Sequence, residues 1–181
     1  MNIAIVGATG NVGRKTLEVL ERKNISFNNI FLLASSKSVG TKIFFKSKEY
    51  TVTDLENFDF SKAKIIFFAA GKKISEIFVS KAAKSSLVID NSSYYRMDPD
   101  VPLIVPQVNS NDLNKIKKNI IANPNCSTAQ LVIALKPLHD LFVIKRIVVS
   151  TYQSVSGGGK APMDELIEQT KLVLDLSLIH I

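Results

Sequence analysis

The chain has few residues that could form disulfides or bind metals: one cysteine, Cys126, and two histidines, His139 and His180. A single cysteine cannot form a disulfide within the chain, and no cysteine or histidine spacing suggests a zinc site. The N-terminus lacks the basic and apolar regions of a secretory signal, and no apolar run approaches the ~18–20 residues of a membrane span. We therefore expect a cytoplasmic protein with no metal and no membrane partner.

Arginine is also scarce, because only 4 of the 23 basic residues are arginines. The net charge of +7 comes from lysines that are spread along the chain with few aromatic residues beside them. A nucleic-acid-binding protein would instead concentrate this charge in a patch or stripe. We therefore expect no nucleic-acid partner and only a modest attraction of anionic small molecules.

The order of apolar segments indicates the fold class. Residues 2–6 form an apolar run that ends at a glycine-rich turn, and an amphipathic helix and a second apolar run at 30–34 follow. This order predicts a parallel, right-handed α/β sheet. Later segments predict a hairpin within 41–54 and strands at 65–70, 87–90 and 120–122. They also predict helices at about 74–84 and 127–142, and a long strand at 144–151 that opens a second domain.

The glycine-rich turn at residues 7–13 has the spacing GxxGxxG. Gly7 would allow a tight turn, Gly10 would let the backbone approach a pyrophosphate, and Gly13 would allow close packing of helix on strand. A purely structural turn is the alternative. The position of the glycine-rich turn between a strand and an amphipathic helix favours a dinucleotide site.

The ends of the next two strands also predict cofactor contacts. A fold that binds NAD normally has an acidic residue after the second strand, but this chain has Ser35, Lys37 and Ser38 there. These residues do not repel a 2′-phosphate, which favours NADP, although a solvated loop is the alternative. Gly71 follows the strand at 65–70, where ligands bind in such sheets.

Cys126 lies in a turn that precedes a predicted helix. Pro124 keeps the residue before it extended, and Asn125 or Cys126 then falls near the helix N-cap. Backbone N–H groups and the positive end of the helix dipole favour the thiolate, which is the nucleophilic form. A lone cysteine can equally be a small buried apolar residue, and this local pattern leaves both possibilities open.

Arg96 has two interpretations as well. In a chain that otherwise uses lysine, it suggests a planar group that binds phosphate or carboxylate in a bidentate manner. A surface ion pair with Asp98 or Asp100 explains it equally well.

The glycines at 157–159, just after Gln153, allow close approach of a ligand or form a flexible hairpin loop. His139 lies near a helix end and His180 is the penultimate residue, so we expect neither to act in catalysis.

Six stretches together carry a resemblance to a known family. In their order and spacing they resemble the aspartate-semialdehyde dehydrogenases of the bacterial NADP-dependent type, from Met1 to about Leu174. The stretches are Gly7–Gly13, Asp90–Ser93, Arg96–Asp98, Val105–Asn109, Asn123–Thr128 and Ser150–Gly157.

This resemblance implies a fold and a reaction. Residues 1–126 would form a Rossmann-type, doubly wound parallel sheet that binds NADP, and residues 127–181 would form the truncated start of an α+β catalytic and dimerisation domain. The family forms homodimers. Its reaction is the NADPH-dependent reductive dephosphorylation of aspartyl 4-phosphate to aspartate 4-semialdehyde, a step in the biosynthesis of lysine, methionine, threonine and diaminopimelate.

The resemblance also implies roles for individual residues. Cys126 would attack the acyl phosphate and form a thioacyl intermediate, Gln153 would orient the substrate, and Arg96 and Asn125 would hold the phosphate. The full set of expected cofactor-binding residues is Gly7, Thr9, Gly10, Asn11, Val12, Gly13, Ser35, Lys37, Ser38, Gly71, Ser156 and Gly157.

The chain departs from the family near its end. Family members are longer, and their additional part supplies a catalytic histidine, a substrate-binding arginine and a phosphate-binding lysine. We therefore expect an N-terminal fragment that is inactive alone and exposes apolar surface, with an atypical, artefactual end at Ser177–Ile181. The alternative is a non-catalytic NADP-binding module or a degenerate paralogue.

Overall fold

A computed structural model describes residues 1–175 of the chain. The chain divides into two compact units, Met1–Ile147 and Val148–Ile181. Each is treated by itself below. The expectations for His180 and for Ser177–Ile181 lie outside the described residues.

The first unit is built on a sheet of six parallel strands in the order β5-β2-β1-β6-β7-β8, and β3 and β4 form a separate antiparallel hairpin. This strand order is typical of a dinucleotide-binding fold. From β1 to β5 the strands are added toward one side of the sheet, and from β6 to β8 toward the other, so the order of addition reverses between β1 and β6. The strands are β1 (Asn2–Val6), β2 (Asn29–Ala34), β3 (Lys42–Phe45), β4 (Lys48–Thr51), β5 (Thr53–Asp54), β6 (Ile65–Phe68), β7 (Leu87–Asp90) and β8 (Ile120–Ala122).

Helices cover both faces of this sheet. Successive side chains of a strand point to opposite faces, so Ile3 and Ile5 of β1 pack with Leu17 of helix α1, while Ala4 and Val6 lie in the cluster on the other face. The fold is therefore doubly wound, as predicted. The helices are α1 (Asn11–Arg22), α2 (Lys72–Ala82), α3 (Pro106–Asn109), α4 (Cys126–Phe142) and α5 (Lys160–Asp175).

One prediction about the later chain was wrong, and one of two open alternatives is excluded. Residues 144–151 form no strand, because a strand needs a neighbour for its backbone N–H and C=O groups and no strand within residues 1–175 pairs with them. The glycines at 157–159 form no hairpin: Val155–Gly158 is a short 3₁₀ helix, and α5 follows at once. Within residues 1–175, no helix is long and apolar enough to cross a membrane.

Candidate active site

The glycine turn between β1 and α1 is packed too tightly for side chains at two of its three glycines. Gly7 has a φ of 82°, and a Cβ there would lie 2.7 Å from the carbonyl oxygen of Ala69. A Cβ on Gly13 would lie 2.2 Å from the carbonyl oxygen of Gly7. These contacts explain why both positions are glycine: a side chain at Gly7 would clash with the segment after β6, and one at Gly13 would separate α1 from the end of β1.

The N-terminus of α1 points its backbone donors out of this turn. Gly10 is the N-cap, no side chain caps the helix, and its first turn contains no acidic residue. The N–H groups of Val12 and Gly13 belong to the first turn, where an α-helix has no internal acceptors. Arg14 donates from Nε to the carbonyl oxygen of Thr9 at 3.1 Å and holds the loop in place. An anion at this helix end would meet both N–H donors and the positive end of the helix dipole.

The end of β2 lies beside this turn. The carbonyl oxygen of Leu33 accepts hydrogen bonds from the backbone N–H groups of Gly7 at 2.8 Å and Ala8 at 3.2 Å. Ser35 is the N-cap residue of a 3₁₀ helix at Ser36–Ser38, and its side chain makes no capping hydrogen bond. Within that helix Lys37 is exposed and makes no hydrogen bond or ion pair with any of residues 1–175. This edge therefore offers hydroxyl groups and one cation, with no carboxylate among residues 34–40.

Gly71 forms the third part of the same edge. It follows β6, has a φ of 84° and is the N-cap of α2. A Cβ on Gly71 would contact nothing within 4 Å, so its backbone conformation, rather than crowding, favours glycine. Because β6 is the neighbour of β1, Gly71 and the glycine turn flank the same crevice at the carboxyl ends of the strands.

Arg96 bridges the carboxyl ends of β7 and β8. Its Nε donates to the carbonyl oxygen of Asn123 at 2.8 Å, and its Nη2 donates to the carbonyl oxygen of Asn91 at 3.1 Å. Asn91 is the first residue after β7 and Asn123 is the first after β8. A guanidinium group has five N–H donors, so two hydrogen bonds leave Nη1 available for a ligand.

The alternative interpretation of Arg96, an ion pair with Asp98 or Asp100, is wrong. Asp98 pairs with Lys118 at 2.8 Å, and Asp100 pairs with Lys117 at 2.9 Å. Both carboxyls have a pKa below their ordinary value, in each case first because of the hydrogen bond from the lysine. With both carboxylates already paired to lysines, the guanidinium group of Arg96 is held by backbone carbonyls instead.

Sequence reasoning missed Asn91 and Asn123 as parts of this arrangement. Their side chains are joined by a hydrogen bond of 3.1 Å, from Asn123 Nδ2 to Asn91 Oδ1. Both residues directly follow parallel strands that are neighbours in the sheet. That position was readable in the sequence and could have identified them.

Cys126 is the first residue of α4 and is exposed. Asn125 is the N-cap, and its Oδ1 accepts a hydrogen bond from the backbone N–H of Ser127 at 2.9 Å. The thiol Sγ lies 3.9 Å from the same Oδ1. The possibility that Cys126 is a small core residue is therefore wrong. The thiol instead lies at the positive end of a helix dipole and is open to reagents.

The residues predicted in the second unit lie around its 3₁₀ helix. Gln153 precedes this helix, and the hydroxyl oxygen of Ser154 accepts a hydrogen bond from the N–H of Ser156 at 3.3 Å. The N–H of Gly157 donates to the carbonyl oxygen of Ser154 at 3.0 Å. The roles of Gln153, Ser156 and Gly157 in the site stay predictions.

Comparison with known families agrees with this geometry. The family described as "Semialdehyde dehydrogenase, NAD binding domain" matches residues 2–116, and "Semialdehyde dehydrogenase, dimerisation domain" matches residues 135–179. This chain belongs to the semialdehyde dehydrogenase family.

Individual relatives support the same assignment. An aspartate-semialdehyde dehydrogenase of Aquifex aeolicus is 54% identical over 173 residues, covering 93% of this chain and 51% of the relative. The crystal structure of aspartate semialdehyde dehydrogenase II of Vibrio cholerae, complexed with ASA, is 47% identical with a TM-score of 0.93, over 96% of this chain and 52% of that one. The chain thus spans about half the length of the curated relatives it matches.

A more distant structure carries a cofactor. The aspartate semialdehyde dehydrogenase of Candida albicans, solved with NADP, is 28% identical with a TM-score of 0.62, over 79% of this chain and 48% of that one. The predicted resemblance and fold class are thus confirmed, and residues 2–116 form the nicotinamide-cofactor domain of this family. The predicted domain boundary at residues 126/127 stays a prediction.

Proposed function

We propose that this chain supplies the NADP-binding domain and the cysteine nucleophile of an aspartate-semialdehyde dehydrogenase. The reaction is the reductive dephosphorylation of L-aspartyl 4-phosphate to L-aspartate 4-semialdehyde, in the biosynthesis of lysine, methionine and threonine. The observation that carries the proposal is the exposed thiol of Cys126 at the N-terminus of α4, on the same sheet edge as Arg96. Its relatives are named for this enzyme. We place the reaction in the cytoplasm, in agreement with the single cysteine.

In this proposal NADP binds in the crevice between β1 and β6. The pyrophosphate would lie against the backbone at Thr9, Gly10, Asn11 and Val12, where the uncapped helix end favours an anion. Ser35, Lys37 and Ser38 would hold the 2′-phosphate, since Lys37 has no competing partner in residues 1–175. When bound, NADPH supplies the hydride that reduces the acyl group of the substrate.

Cys126 would form the covalent bond to substrate. Its thiolate attacks the carbonyl carbon of the acyl phosphate, a C–S bond forms, and the C–O bond to phosphate breaks. The departing phosphate takes the electron pair of that bond and is held by Arg96 Nη1 and Asn125. Arg96 is suited to this because its other contacts, to the carbonyls of Asn91 and Asn123, fix the plane of the guanidinium group.

The remaining roles depend on residues outside this sheet edge. Gln153 would orient the aspartyl group, and Ser156 and Gly157 would contact the cofactor. We further propose a homodimer, in line with the dimerisation-domain match. His139 does not replace an acid–base histidine, because it lies thirteen residues beyond Cys126 on the same helix, about 20 Å along its axis. We therefore expect this chain alone to bind ligands and react at Cys126 without turning over.

The test measures binding and thiol reactivity in the 181-residue chain. NADPH and NADH are titrated separately, and Cys126 is then alkylated with iodoacetamide at increasing concentrations of inorganic phosphate. We expect tighter binding of NADPH than of NADH, a thiol that reacts faster than free cysteine at neutral pH, and protection by phosphate. Lys37→Gln should remove the preference for NADPH, and Arg96→Lys should weaken the protection.

The competing function is a non-catalytic NADP-binding module. It predicts the same NADPH binding but a thiol that reacts like free cysteine and is unaffected by phosphate. That combination would overturn the proposed role of Cys126 while leaving the cofactor assignment standing. Equal affinities for NADPH and NADH would overturn the preference for NADP.

A further inference from the structure

Asp90, the last residue of β7, is a buried charged residue that the proposed reaction does not use. It is 0% exposed, and its carboxylate accepts three hydrogen bonds. Oδ1 accepts from Ser75 Oγ at 2.7 Å and from the N–H of Ser92 at 3.0 Å, and Oδ2 accepts from Ser92 Oγ at 2.7 Å. Burying a carboxylate is costly, and no cation among residues 1–175 pairs with it. An apolar residue would fill the same place without the desolvation cost of a carboxylate. The presence of Asp90 therefore calls for an explanation other than stability.

The network shapes the turn that carries Arg96. Ser92 Oγ donates to Asp90 and in turn accepts a hydrogen bond from the N–H of Tyr94 at 3.1 Å. The carboxylate therefore fixes the backbone at 92–94, and only Tyr95 separates this segment from Arg96. On its other side, Ser75 anchors the carboxylate to the first part of α2, which is packed against the sheet.

The backbone of the same residue holds the second support of Arg96. The carbonyl oxygen of Asp90 accepts a hydrogen bond from the N–H of Asn123 at 2.8 Å. Asn91 and Asn123 are the residues whose carbonyls receive the guanidinium hydrogen bonds. Asp90 thus makes hydrogen bonds to both segments that hold Arg96, the turn after β7 and the turn after β8.

We propose that Asp90 is a positioning residue for Arg96, whose network with Ser75 and Ser92 keeps the guanidinium group oriented for a phosphate group. This inference rests on the proposed function, in which Arg96 binds the phosphate that leaves the substrate. A guanidinium group held in one plane loses less conformational freedom when it binds an anion. The affinity for the anion therefore depends on the hydrogen bonds that hold the group as well as on its charge.

The first test is Asp90→Asn in the 181-residue chain. The amide has almost the shape of the carboxylate but turns one acceptor into a donor, so the hydroxyl of Ser92 loses the acceptor to which it donates. Inorganic phosphate is the probe, and its dissociation constant is read from the protection of Cys126 against iodoacetamide. We expect about five- to tenfold weaker phosphate binding and an NADPH affinity within about twofold of wild type.

A matched pair of serines separates positioning from general stability. Ser92 lies just beyond the carboxyl end of β7, and Ser86 lies just before its amino end. Both are buried, and Ser86 Oγ donates to the carbonyl oxygens of Phe60 at 2.9 Å and Ala63 at 2.7 Å. Ser92→Ala should weaken phosphate binding severalfold, whereas Ser86→Ala should lower the unfolding temperature and leave phosphate binding unchanged.

A double-mutant cycle shows whether Asp90 acts through Arg96. In an Arg96→Lys background, where weakened phosphate protection can still be measured, Asp90→Asn should cause a much smaller further loss than in wild type, although it should still lower stability. If Asp90→Asn does not fold, Ser92→Ala and Ser75→Ala are carried through the same cycle. Equal losses in both backgrounds, or parallel losses of phosphate and NADPH binding, would overturn the inference.

Failure of the underlying proposal would look different. If wild type shows no protection by phosphate, or if Arg96→Ala leaves protection intact, the role of Arg96 is wrong and this inference falls with it. If Arg96→Ala abolishes protection and the Asp90 and Ser92 variants retain it, only the positioning role is overturned.

Discussion

The sheet of residues 1–122 and the helix α4 are both rich in apolar residues, but they differ completely in burial. Phe68 in β6 is 1% exposed and Ile5 in β1 is 0% exposed. In α4 no residue is buried, and Leu141 and Phe142 near its end are 74% and 75% exposed. An apolar sequence is therefore not sufficient for burial. In α4 the apolar side chains are not buried by the other residues that the structure describes.

The difference lies in the partners that each region finds. Every inner strand of the sheet is hydrogen-bonded on both sides, and α1 and α2 cover opposite faces. Apolar side chains lie around most of α4, a pattern typical of buried helices. Such an exposed apolar surface marks an interaction site or a tendency to aggregate. Apolar side chains of α4 are thus exposed, as expected, whereas the expected cause, a truncated second domain, stays a prediction.

The sharpest test of this comparison substitutes one phenylalanine in each region. Phe68→Ala removes a large side chain from the core and should lower the free energy of unfolding by about 3–5 kcal/mol. Phe142→Ala removes the same atoms from an exposed site and should change it by less than about 0.5 kcal/mol. Urea unfolding followed by circular dichroism measures both. A large loss from Phe142→Ala would show that α4 is buried in solution.

The second prediction concerns the packing of α1 on β1. Gly13→Ala places a methyl group against the carbonyl oxygen of Gly7, and we expect it to destabilise the first unit by about 1–3 kcal/mol. It should also weaken NADPH binding at least about tenfold, because the helix end that faces the pyrophosphate moves.

Gly10→Ala is the matched control for this change. At Gly10 the φ is −78°, and a Cβ would lie 3.4 Å from the same oxygen, an ordinary contact. Its unfolding free energy should fall by less than that of Gly13→Ala. Equal effects on stability would contradict the role assigned to close packing.

The third prediction concerns the border between the two regions. Asn125→Ala removes the N-cap of α4 and should destabilise that helix by about 1 kcal/mol. Because α4 has no buried residue, the urea midpoint of the sheet should not move. Alkylation of Cys126 should slow severalfold as the first turn frays.

Ser154→Ala removes a comparable cap in the second unit, where Ser154 accepts from the N–H of Ser156. It should leave the alkylation rate of Cys126 unchanged. A loss of sheet stability in Asn125→Ala would show that α4 and the sheet unfold together.

The sequence predicted those features that depend on local patterns. The turn at Gly7–Gly13, the continuously buried apolar run of β1 and the helix after Asn125 all follow from residues that lie close together in the chain. The strand predicted at 144–151 failed because a strand exists only with a neighbour, and apolar residues alone do not provide one. The partners of Arg96 were missed because Asn91 and Asn123 are separated in sequence and meet only through the pairing of β7 with β8. The signal that could have identified them is that each directly follows a predicted strand.

The smallest expected effect concerns ion pairs in the two regions. The pKa of Asp98 lies below its ordinary value, mainly because Lys118 donates a hydrogen bond to its carboxylate and secondly because the N–H of Asp100 does so. A carboxyl with a lowered folded pKa stabilises the protein above its unfolded pKa of about 3.9 and loses that contribution as the pH falls through the folded value. Lys118→Gln should therefore lower the urea midpoint slightly at pH 7, and its difference from wild type should disappear as the pH falls below about 4.

The corresponding change in α4 is Lys136→Gln, which removes the pair that Lys136 forms with Asp140 at 2.5 Å. Lys118 tethers a turn of the sheet unit, whereas Lys136 and Asp140 lie on a helix with no buried residue. Lys136→Gln should therefore leave the urea midpoint unchanged at every pH. A pH-dependent midpoint difference for Lys136→Gln would mean that α4 unfolds together with the sheet, and the contrast between the two regions would then hold for burial but not for cooperativity.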